Sequence, residues 1–84
     1  MKDHIPLCLA VIDALLLLES SSPEEVDPDF AVRGMENISS SLLRLDDDDQ
    51  RSLRLDFQRI ADQADDESYG RFVRAVSDMV GLAT

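Results

Sequence analysis

The sequence predicts an all-α domain, a small antiparallel four-helix bundle. Apolar residues recur at three- and four-residue spacing along most of the chain, and no segment alternates with period two. Breaks rich in Pro, Ser and Asp divide that periodicity at about 20–29, 45–49 and 64–68. With 84 residues there is material for one domain whose helices are joined by short connections.

The first helix is expected over roughly 3–19. Pro6 fits only its first turn, where the missing N–H has no partner to lose. One stripe holds Ile5, Cys8, Leu9, Ile12, Leu15 and Leu16, and a second holds Leu7, Val11, Ala14 and Leu18. A helix apolar on nearly every face either lies at the centre of the bundle or leaves a face for a partner or a second copy.

The stretch "SSSPEEVDPD" reads as loop, with Pro28 suited to the first position of the next helix. That helix covers about 28–44, with Ala31, Met35, Ile38, Leu42 and Leu45 on one face. Gly34 and the serines at 39–41 give it poor propensity, so packing must hold it. A third helix at about 48–64 carries Leu53, Phe57, Ile60, Ala61 and Ala64, with Gln50, Arg54, Asp56, Gln58, Arg59 and Asp62 mostly on the wet side. After "ADDES" a fourth runs over about 67–80 with Tyr69, Phe72, Val73, Val76 and Val80, and Gly81 stands where a helix stops.

Composition narrows function. Hydrophobic content of 44% supports a packed core, and a net charge of −10 with a pI near 4.2 repels nucleic acid and anionic membranes. Such a surface suits a basic partner, because opposite charge speeds encounter and selects partners. Residues 5–18 are apolar except Asp13, too short a run for the roughly 20 residues that span a bilayer. Lys2 is offset by Asp3, and "ESSSPEE" follows in place of a small-residue cleavage site, so the expected location is cytoplasmic. Cys8 is the only cysteine, which excludes an intrachain disulfide and a Cys-rich zinc site and leaves the reading of a small buried hydrophobe.

The run Asp46, Asp47, Asp48, Asp49 stands out. A calcium loop starting at Asp46 would place Arg51 where the turn needs Gly and Phe57 where it needs a bidentate acid, so no metal is expected. As a helix start the run suits the positive end of the dipole, with Asp47 at the N-cap and Gln50 three residues on as a capping-box variant. One capping aspartate would suffice, and the surplus is available to a partner. Asp62, Asp65, Asp66 and Glu67 make a second acidic start, where Asp66 and Glu67 are expected to cap. In an antiparallel bundle these two starts lie at opposite ends and need not form one patch. All eight residues are candidates for partner binding.

His4 is the only histidine and lies near the terminus. The serine runs have no base beside them, and three scattered glycines make no phosphate loop. Neither an enzyme nor a bound cofactor is expected.

"PEEVDPDF" resembles the loop between the first two helices of acyl carrier proteins. Their phosphopantetheine serine sits in Asp-Ser-Leu, whereas the corresponding place here reads Glu36-Asn37-Ile38. From about Phe30 to Gly81 the chain resembles a family of small helical bacterial immunity proteins. The shared order is an "I…LL" helix, an acidic break, an "L…L…IA" helix, a second acidic break and an "A…VG" ending. The resemblance implies neutralisation of a type VI secretion toxin with an ADP-ribosyltransferase-like fold that destroys NAD, by a stoichiometric complex that blocks its active site. The alternative is a regulatory or adaptor module that forms a homodimer through the apolar helix at 5–18.

Overall fold

The computed structural model describes residues 4–84, so the predicted helix start at residue 3 and the Lys2–Asp3 pair lie outside the described residues. Four helices follow: α1 (Ile5–Ser20), α2 (Pro28–Leu42), α3 (Asp47–Gln63) and α4 (Glu67–Val80), with no strand among the described residues. The all-α four-helix bundle is as the periodicity predicts.

Each start and stop has a local cause. His4 precedes α1, and its carbonyl accepts from Cys8 N–H at 3.0 Å. Ser22 and Glu25 cap each other reciprocally in the first connection, Ser22 N–H to Glu25 Oε1 at 3.2 Å and Glu25 N–H to Ser22 Oγ at 3.3 Å. Pro28 opens α2 behind Asp27, whose carboxylate accepts from Asp29 N–H at 2.8 Å. At the other end of the chain Gly81 adopts a left-handed φ of 81°. This lets Leu82 N–H reach Ser77 O at 2.9 Å and Gly81 N–H reach Asp78 O at 3.2 Å, closing α4 in a Schellman motif.

The closest packing is between α3 and α4. Their register is antiparallel, because Arg54 at the middle of α3 meets Asp78 near the end of α4, whereas Asp62 near the end of α3 meets the earlier Arg74. In the other pair Gly34 of α2 lies under Leu18 of α1, where an added Cβ would come within 3.0 Å of Leu18 Cδ1. Poor propensity in α2 is thus offset by a close crossing that a hydrogen side chain allows. The core joins Cys8, Ile12 and Leu15 of α1 to Phe57 and Ala61 of α3 and to Val73, Val76 and Val80 of α4. Met35, Ile38 and Leu42 of α2 pack against its edge.

α1 buries Cys8, Ile12 and Leu15 in the core, while the second stripe is half-buried at Val11, Ala14 and Leu18. Leu7 and Leu9, on opposite flanks of the buried stripe, and Leu17, on the outer side, are 55%, 38% and 67% exposed. Leu45, expected on the inner face of α2, lies beyond the helix and is 39% exposed, since α2 ends at Leu42.

Two residues assigned to the wet side of the third helix are instead structural. Gln50 is buried: its amide donates to Leu45 O at 2.8 Å and Leu43 O at 3.3 Å, and its carbonyl accepts from Ala83 N–H at 3.0 Å. One turn later Arg54 donates to Leu82 O at 2.7 Å and Ala83 O at 3.2 Å and pairs with Asp78 at 2.9 Å. Both turn inward because the chain after α4 folds back over α3 with backbone groups that need partners.

Candidate partner-binding surface

The acidic start of α3 begins one residue earlier than the sequence reading places it. Asp46, in extended backbone, is the N-cap, and its Oδ1 accepts from Asp49 N–H at 2.8 Å. Asp47 is already helical, so Gln50 falls at the fourth helical position and turns inward instead of completing a capping box. Asp48 pairs with Arg51 one turn on. Asp47 and Asp49, both exposed, hold no hydrogen bond or ion pair through their side chains among the described residues.

At the start of α4 Asp66 is the cap, accepting from Tyr69 N–H at 2.9 Å. Glu67 makes no capping bond; only its charge favours the first turn. Asp62 meets Arg74 of α4 at 2.5 Å. Asp65 and Glu67 are exposed and, among the described residues, unpaired through their side chains. The eight candidates thus divide evenly. Asp46 and Asp66 cap helices, Asp48 and Asp62 sit in exposed ion pairs of at most about 1 kcal/mol each, and Asp47, Asp49, Asp65 and Glu67 are left for solvent or a partner.

The two clusters stand at opposite ends of α3, whose 17 residues span about 25 Å at 1.5 Å per residue. They are not one patch. What lies between them is the beginning of α1, flanked by two hollows. The larger, about 500 Å³, is walled by Leu7, Cys8, Val11, Leu42, Leu45 and Leu53, with His4, Ser41, Asp49 and Ser52 supplying its polar groups. The smaller, about 410 Å³, lies between Ile5 and Leu9 on one side and Ile60, Ala64 and Tyr69 on the other, edged by Asp65 and Asp66. Each acidic helix start therefore borders an apolar hollow. Sequence reasoning found the carboxylates and the over-apolar helix separately. It missed that they adjoin, because adjacency depends on how α1 crosses α3.

Tyr69 lines the smaller hollow, and its hydroxyl titrates above the ordinary 10.0, first because burial disfavours the phenolate and second because the Asp13 carboxylate repels it. Cys8 is wholly buried. Among the described residues no helix is long and apolar enough to cross a membrane, and no group of three or more His, Cys, Asp or Glu is arranged to hold a metal ion.

No known family model, curated protein or solved structure matches this chain. The reading of its function rests on the fold and on these surfaces.

Proposed function

We propose that this protein is a non-catalytic binding module for a basic protein partner, and that the partner is a secreted bacterial toxin that it neutralises in the cytoplasm as an immunity protein. The observation that carries the reading is a set of carboxylates left unpaired, among the described residues, at both ends of α3: Asp47 and Asp49 at one end, Asp65 and Glu67 at the other. Like charges held together cost free energy unless something outside the fold uses them. A basic partner gains both encounter rate and charge-assisted hydrogen bonds from them. A toxin that binds the pyrophosphate of NAD presents cations of that kind at its active site, and a bundle seated on them would exclude the substrate. The test is to mix the pure protein with the purified product of the neighbouring gene. A one-to-one complex in light scattering, with loss of the partner's activity at one equivalent, is expected; no complex contradicts the reading.

A second reading has its own support. The apolar side chains that α1 leaves exposed, Leu17 on its outer side with Leu7 and Leu9 on its two flanks, suit self-association of a regulatory or adaptor module. It predicts a concentration-dependent oligomer of the isolated chain.

A further inference from the structure

We infer that the larger hollow, between the first turns of α1 and the corner joining α2 to α3, is a docking groove for an amphipathic basic helix of the partner. Its apolar side chains would fill the groove, and a Lys or Arg would meet Asp49. This rests on the basic-partner reading and gives it a place.

The groove has the size and the lining of a binding site. Its volume of about 500 Å³ falls in the range of roughly 300–1,000 Å³ usual for preformed pockets. Cys8 closes the floor without exposure, while Leu7 and Leu45 stand half-exposed on opposite walls. Apolar surface on facing walls is what an amphipathic helix covers when it lies in a groove. Asp49 belongs to the lining, and its exposed carboxylate has no partner within the described fold. A purely apolar occupant would leave that charge half-desolvated, and a cation beside the apolar anchors removes the penalty.

A second copy fits less well. The apolar helix it would offer, Ile5–Ser20, contains no Lys or Arg. Arg51, Arg54, Arg59 and Arg74 already face carboxylates of their own chain, and Arg33, Arg44 and Arg71 lie outside that apolar helix. Two copies at −10 each also repel.

The test uses a fluorescent synthetic helix of leucine and lysine, amphipathic by design, and a peptide of the same composition scrambled so that no face is apolar. Anisotropy titrations on the full chain should show the amphipathic peptide binding at least about tenfold tighter than the scrambled one. Leu45→Glu and Leu7→Glu place a charge on either wall without emptying the core, and each should weaken binding about tenfold or more with circular dichroism unchanged. Asp49→Asn should weaken it severalfold and flatten its salt dependence. Equal binding of the two peptides overturns the groove while leaving the basic-partner reading intact, since charge alone then suffices. Binding unaffected by Leu45→Glu and Leu7→Glu does the same. Failure of both peptides to bind overturns the groove and counts against the basic-partner reading too. A homo-oligomer abolished by Leu45→Glu overturns it in favour of a second copy.

Discussion

The side-chain carbonyl of Gln50 accepts the backbone N–H of Ala83 at 3.0 Å, across 33 residues of sequence. With its amide on Leu45 O and Leu43 O, this one side chain ties the turn before α3 to the chain after α4. Arg54, one turn along, holds the carbonyls of Leu82 and Ala83. The segment after α4 is thereby fastened to the helix that carries the acidic run.

Gln50→Ala removes the side chain's hydrogen bonds, keeps the backbone bond to Asp46 O, and takes this partner from Ala83 N–H, Leu45 O and Leu43 O. We expect a loss of about 2–3 kcal/mol in urea unfolding, because unsatisfied buried groups cost about 1–3 kcal/mol. A loss below about 0.5 kcal/mol would show that water replaces the amide and that the clasp is incidental.

Ser77 lies in α4 on the core side, and its buried hydroxyl has no hydrogen-bond partner among the described residues. Ser77→Ala keeps the backbone that accepts from Leu82, removes an unsatisfied group and improves helix propensity. Thermal unfolding should show equal or higher stability, by up to about 1–2 kcal/mol. Marked destabilisation would reveal a bond that the hydroxyl makes in solution.

Tyr69 is the only tyrosine and there is no tryptophan, so its ionisation can be followed directly by ultraviolet absorbance. The folded protein should titrate above 10.0, and Asp13→Asn should lower the midpoint. The sign for stability follows: the folded state holds the phenol proton more tightly than the unfolded chain does. The contribution is therefore complete below pH 10 and is lost as pH rises through the folded value. A midpoint at the ordinary value in the native protein contradicts the burial assigned to this ring.

The helices were legible because their apolar residues follow one physical rule. Phe57, Ala61, Val73, Val76 and Val80 recur at helical spacing and all are buried. Pro28 and Gly81 mark an entry and an exit by backbone restriction and freedom, which are local properties. Gln50 and Arg54 were misplaced because polarity alone assigned them to solvent, and their partners at Leu82 and Ala83 arrive only when the chain folds back. The cap fell on Asp46 and not Asp47 because four adjacent aspartates are equivalent as candidates, and tertiary placement of Gln50 sets the register. The hollow beside Asp49 had no linear signature beyond the excess of apolar residues in α1.

We propose that the carboxylates left over after capping and ion pairing recruit a basic protein. The most direct test is the association rate constant for the neighbouring gene's product, measured by stopped flow at low and high salt. The native chain is compared with the combined variant Asp47→Asn, Asp49→Asn, Asp65→Asn, Glu67→Gln, which leaves the caps Asp46 and Asp66 in place. The variant should associate about tenfold or more slowly at low salt, converge with the native chain at high salt, and keep its helical spectrum. Equal association rates at low salt would contradict it.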